Sequence, residues 1–275
     1  MSLTITTLVE NRKRDDRYLA ERGLSLLIHW QDKRILFDTG ASEAFLENAD
    51  TLGEDLSRLD YVVISHGHSD HSGGLRALCQ STRRKFGLVL NPQFFQKKFK
   101  REDAHLRYIG NDFAEEFLQI ENIKTIFPMK DTFELIPGLY IISDFPRISF
   151  EKDDESFMAL SGGEYRQDSF PEEQALVIDT PKGLVVFTGC AHNGIVNICE
   201  TVKARLKKPI YAVLGGLRLN EADSQRIEKT AEYFRESGIA KLGSCHCAGE
   251  SANACLAAAC PEFLELTAGS VIEIE

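Results

Sequence analysis

The apolar segment Asp60-Tyr61-Val62-Val63-Ile64-Ser65 runs straight into His66-Gly67-His68-Ser69-Asp70-His71. No other stretch constrains the fold as much. Three of the chain's seven histidines and a carboxylate fall within six residues, at the end of what reads as a buried strand. Imidazole and carboxylate are ligands that suit zinc, iron or manganese. A tight turn lets His66 and His68 face one cation while Asp70 and His71 reach a second position. The glycines beside the cluster supply the backbone freedom that such a turn needs.

Around this cluster the pattern is α/β. Leu24 to Trp30 and Arg34 to Phe37 read as a hairpin, followed by a helix near Ser42 to Leu52. After the cluster come a helix from Leu75 and a strand from Phe86 to Leu90. The pattern loosens from about 91 to 173, which reads as an elaboration within a single domain spanning 1–275. Ala175 to Asp179 and Leu184 to Thr188 form a second hairpin around Pro181-Lys182-Gly183. Strand and helix then alternate: Asn193 to Leu206, Ile210 to Leu214, Glu221 to Ser237, Lys241 to Ser244 and Glu250 to Ala259. A hairpin first and strand–helix units later, in each half, imply two mixed sheets flanked by helices, with loops from both halves along one edge.

Several function classes are excluded. A formal net charge of −10 argues against a nucleic-acid partner. The local basic run Lys97, Lys98, Lys100 and Arg101, beside Phe94, Phe95 and Phe99, reads as a solvated amphipathic helix. No apolar run approaches the roughly 20 residues needed to span a bilayer, and the first residues lack a signal-peptide pattern. A cytoplasmic address without a membrane partner follows, and the oligomeric state stays open. Seven cysteines without a regular framework read as reduced thiols.

His66-x-His68-x-Asp70-His71 followed by Ser72-Gly73-Gly74-Leu75 resembles the signature of the metallo-β-lactamase superfamily, and Phe37-Asp38-Thr39-Gly40 resembles its early acidic turn. The resemblance implies an αβ/βα sandwich with one or two divalent metal ions, zinc foremost and iron or manganese as alternatives. Leu8-Val9-Glu10-Asn11, Gly23-Leu24-Ser25, Thr188 to Gly194, Leu214-Gly215-Gly216 and Cys245-His246-Cys247-Ala248-Gly249 are similar to one branch of it. That branch is the dihydropteroate synthase-like or dihydropterin ribofuranosyl-aminobenzene phosphate synthase group. Asp38-Thr39-Gly40 also spells the aspartic-protease tripeptide, but no second copy exists to share a proton. Asp38 is better read as an acceptor that orients a ligand histidine.

His192 and His246 follow strand ends and supply further ligands. The resemblance places a bridging carboxylate where Val185 to Gly189 leads into Cys190, and a thiolate can fill that role. Alternation turns Cys245 and Cys247 away from the metal, as packing thiols. His29 reads as structural, and His105 as a solvent or pocket-lining residue. The stretch Asp168 to Gln174 lacks the histidine that the family usually carries there, so His192 takes its place. Where the branch has a histidine after Gly-Gly-aromatic, this chain has Gly215-Gly216-Leu217-Arg218.

The expected function is metal-dependent hydrolysis of a small-molecule substrate, anionic or ring-containing, through metal-activated water. Asp70, Asp168 or Glu173 moves the proton, and Arg147 or Arg218 holds an anionic group. The alternatives are an iron-dependent oxidoreductase of the dioxygenase type and a non-enzymatic binder of a pterin-like ligand.

Overall fold

The computed structural model describes residues 2–82 and 86–275 and divides into two compact units. The first comprises Met1–Pro128, Asp154–Glu172 and Thr267–Glu275; the second comprises Met129–Asp153 and Glu173–Leu266. The stretch expected as one elaborated region is therefore shared between the units. No described helix is long and apolar enough to cross a membrane.

Each unit is built on a seven-stranded mixed sheet flanked by helices. In the first, the order is Val271–Ile274, Leu3–Val9, Ser25–Trp30, Lys33–Phe37, Tyr61–Val63, Gly87–Val89, Lys124–Ile126. Its first three pairings are antiparallel and its last three parallel. Leu27, Leu36, Val62 and Leu88 from these strands pack with Phe45 and Ala49 of the helix Ala44–Leu52 and with Leu75 and Leu78 of the helix Leu75–Ser81. Each such fully buried aliphatic or aromatic side chain contributes about 1.5–3 kcal/mol relative to exposure.

The second sheet runs Thr132–Ile136, Leu139–Ser143, Gln174–Thr180, Gly183–Thr188, Ile210–Gly216, Lys241–Cys245, Glu262–Glu265. It repeats the plan, with three antiparallel pairings and then three parallel ones. Helices Ile195–Leu206, Ser224–Glu236 and Glu250–Ala259 bury Ile198, Val202, Ile227, Phe234 and Leu256 in its core. Asp223 starts the middle helix by accepting the Arg226 backbone N–H at 2.7 Å.

This plan decides where chemistry sits. The carboxyl ends of parallel strands are where open α/β sheets place their binding residues. In the first unit Asp38 follows Lys33–Phe37 and His66 lies just beyond Tyr61–Val63. In the second, Cys190, Arg218 and His246 follow Gly183–Thr188, Ile210–Gly216 and Lys241–Cys245.

The basic run read as an amphipathic helix is instead the strand Lys98–Glu102, inside a four-stranded sheet with His105–Tyr108, Phe157–Ser161 and Glu164–Gln167. A period of two, not 3.6, explains it. Lys98 is 0% exposed, with its ammonium 2.8 Å from Asp168 and 2.7 Å from Glu172. Phe99 packs its ring against Tyr108 and Tyr165 at 5.3 and 5.0 Å. Burial pushes the Glu172 carboxyl up to about 7, against the pull of Lys98 and with the push of Asp168.

A carboxyl whose pKa is higher folded than unfolded favours the folded state when protonated. The stability it confers is highest below about 4.5 and falls as pH rises toward about 7. Removing Lys98 leaves two buried carboxylates without a cation. Lys98→Ala is expected to cost about 3–5 kcal/mol at neutral pH. The loss should shrink as pH falls through the carboxyl range, and urea unfolding at a series of pH values measures both.

Candidate metal centre

The histidine cluster folds as its spacing suggests. His66 lies in the bend that follows the strand Tyr61–Val63, and His68 beyond it is extended at φ −89° and ψ 147°. The helical turn Ser69–Ser72 then carries Asp70 and His71. Three imidazoles are thereby packed together, with ring centroids 4.5 Å apart for His66 and His68 and 4.2 Å for His66 and His71. The turn is tied to the preceding acidic loop: the Thr39 backbone N–H and hydroxyl donate to the His71 carbonyl at 2.8 and 3.1 Å. A Cβ on Gly74 would stand 2.3 Å from the Thr39 carbonyl oxygen, so only glycine permits this approach.

Beneath the rings lies Asp38, fully buried and in the left-handed region at φ 61°. Its carboxylate accepts the Ser65 backbone N–H and hydroxyl, both at 2.7 Å, and His71 Nδ1–H at 2.6 Å. The Ser65 hydroxyl spends its proton on Asp38, so at 2.9 Å it accepts from His66 Nδ1–H. Tautomers assigned from this network place the lone pair of both rings on Nε2, the nitrogen that would meet a cation. Imidazole held by a carboxylate in this manner is the usual support of a metal ligand. The donor set and its support fit a divalent metal. Asp70 is partly exposed and receives Arg22 Nε at 3.2 Å. His68 stacks on Phe157 at 5.5 Å and meets the edge of Phe170 at 5.5 Å.

In the second unit Glu173 is buried and accepts the backbone N–H groups of His192 and Asn193, each at 2.7 Å, and the Asn193 side-chain amide at 2.6 Å. Burial raises its pKa, opposed by these donors. Its lone pairs hold the loop that carries His192. Asp168 of the first unit is likewise engaged, accepting Lys98 and the Phe170 backbone N–H at 2.8 Å. Arg218 is 7% exposed and gives its guanidinium to Glu221 at 2.9 Å. Arg147 is bound to Asp153 and Asn193.

One donor atom each from Cys190, His246 and Cys247 lie within 4.8 Å of one another. The Cys247 sulfur therefore lies on the side of Cys190 and His246, where alternation along the strand predicted the opposite side. Alternation holds only in extended chain, and His246 sits at φ 55°, which breaks the strand after Cys245. His29 is ordinary in comparison: it lies 3.4 Å from Glu54, and burial lowers its pKa. His105 is exposed on its strand. Ser65 as a relay was not legible from the sequence, although it directly precedes the cluster.

The family model of the metallo-beta-lactamase superfamily matches residues 20–211. A protein of Methanocaldococcus jannaschii named 7,8-dihydropterin-6-methyl-4-(beta-D-ribofuranosyl)-aminobenzene-5'-phosphate synthase is 31% identical, over 93% of this chain and 91% of its own. An uncharacterised protein of the same archaeon is 30% identical, over 85% of this chain and 86% of that one. A crystal structure described as a metal-dependent hydrolase of the beta-lactamase superfamily superposes with a TM-score of 0.86 at 31% identity, covering 99% of both chains.

Asp38→Asn keeps the shape and removes the charge that fixes both imidazoles. Metal affinity is expected to fall about 10–100-fold, read by competition with a chromophoric chelator, and a wild-type affinity would remove Asp38 from that role.

Proposed function

The chain belongs to the metallo-β-lactamase superfamily, and on that premise we propose that it is a metal-dependent hydrolase of a small anionic or ring-bearing substrate. The observation that carries this reading is the buried Asp38 carboxylate, which sets His71 directly and His66 through Ser65. The proposed ligands are His66, His68, Asp70, His71, Cys190, His192 and His246. Bound divalent cations, zinc being best suited to imidazole, carboxylate and thiolate together, would lower the pKa of a coordinated water and polarise the bond attacked.

The chain's own groups do the rest. Asp38 and Ser65 keep two rings in the ligating tautomer, and Glu173 holds the backbone under His192. Asp70, the partly exposed carboxylate of the cluster, would accept the proton released on attack. The ion pairs of Asp168 and the three donors on Glu173 give those two carboxylates a positioning part. Arg218 binds the substrate's anionic group, displacing Glu221 from its guanidinium. A phosphorylated aromatic compound is the substrate class favoured by the name of the archaeal relative. That name also supports a second reading, a synthase of such a compound, so the substrate panel should contain phosphoesters and pterin-bearing phosphates.

His68→Ala and Asp70→Ala are each expected to lose bound metal and turnover while their circular dichroism and melting stay close to wild type. Elemental analysis decides, since full metal occupancy in both variants would remove them as ligands. Arg218→Ala is expected to raise KM for an anionic substrate about ten-fold or more with metal content unchanged. An unchanged KM takes Arg218 out of the pocket.

A further inference from the structure

We propose that Cys247 is a metal ligand, joining Cys190 and His246 in a two-sulfur, one-nitrogen face that selects thiophilic cations. The proposal rests on the ligand reading of Cys190 and His246 given above and adds one donor to it.

Spacing is the first support. A tetrahedral ion with metal–sulfur bonds of about 2.3 Å and metal–nitrogen bonds of about 2.0 Å holds its donors roughly 3.5–3.8 Å apart. Donor atoms of Cys190, His246 and Cys247 within 4.8 Å of one another need only small side-chain rotations to reach this.

The backbone is the second. Three consecutive loops converge here on left-handed residues other than glycine: Ala191 at φ 55°, Arg218 at φ 53° and His246 at φ 55°. Such backbone is strained for a residue that carries a Cβ and persists where the surroundings enforce it, which is typical of functional sites. Gly216 lies at the centre. A Cβ there would stand 2.2 Å from the Gly189 carbonyl oxygen, 2.7 Å from Cys247 Sγ and 3.2 Å from Cys190 Cα. Glycine at that position is what lets the two cysteine loops close on each other.

The sulfur's own contacts are the third. Cys247 Sγ accepts the Arg218 backbone N–H at 3.3 Å, which fixes the sulfur's position beside the Cys190 loop. Its S–H donates to the Cys190 carbonyl at 3.4 Å, and ligation releases that proton to solvent as the S–metal bond forms. Two thiolates beside one imidazole favour zinc, cadmium or cobalt over manganese or magnesium, which prefer oxygen.

The test uses the full chain, reduced, stripped with a chelator and titrated with cadmium alone. Wild type is expected to show a near-ultraviolet thiolate-to-metal band, with about half its intensity in Cys247→Ser and in Cys190→Ser and none in the double variant. Cys247→Ser should also lose preference for zinc over manganese in competition. An unchanged band and preference in Cys247→Ser overturn the proposal. Should that variant fail to fold, X-ray absorption of wild type loaded with one equivalent of cadmium replaces it. Two sulfur neighbours are expected there, and one or none overturns the assignment. Because the readout is the metal–sulfur bond, failure to find hydrolysis leaves this proposal standing. Hydrolysis with an unaltered Cys247→Ser band removes this proposal alone.

Discussion

A single buried carboxylate organises the first unit's functional edge. Asp38 has no access to solvent; what offsets its desolvation is three charge-assisted hydrogen bonds, two from Ser65 and one from His71. Those bonds link the end of one parallel strand to the loop after the next. Removing the charge leaves the strands paired but releases two imidazoles from a defined tautomer. The left-handed backbone at Asp38 is a local strain that this network sustains. Sheet pairing brings the loops together, and the carboxylate decides how the rings face.

The regular parts of this arrangement were written plainly in the sequence. The hairpin Ser25–Trp30 with Lys33–Phe37, the strand before His66 and the alternation from Ile195 onward have apolar runs punctuated by turn residues. The cluster His66 to His71 is local, so its chemistry could be read without a fold. Failures came where tertiary contacts override local pattern. Lys98 looks like a surface cation, and only the carboxylates of Asp168 and Glu172, some seventy residues on, make it a core residue. Cys247 looks like an alternating strand residue, and one dihedral at His246 turns it inward to the donors. Edge strands such as Glu262–Glu265 and Val271–Ile274 carry several acids and little periodicity, so pairing alone defines them.

The two units share a plan but specialise in chemistry. Both sheets change from antiparallel to parallel halfway, and both load the carboxyl ends of the parallel strands. The first unit offers nitrogen and oxygen donors held by a carboxylate relay. The second carries the sulfur atoms of Cys190 and Cys247, held by backbone turns and by the absence of a side chain at Gly216. Steric closure recurs in both units, at Gly74 against the Thr39 carbonyl in the first and at Gly216 against the Gly189 carbonyl in the second, and neither position admits a side chain.

The pairing of Val271–Ile274 with Leu3–Val9 joins opposite ends of the sequence in one sheet. The second unit, in contrast, draws all its strands from a stretch between Met129 and Leu266. Because Val271–Ile274 follows Leu266, the second unit can complete its sheet during synthesis while the first still lacks an edge. The Leu3–Val9 edge must wait for Val271–Ile274, more than 250 residues later in the chain. In that interval its unpaired amides are open to other chains, which makes this edge the vulnerable point of biogenesis.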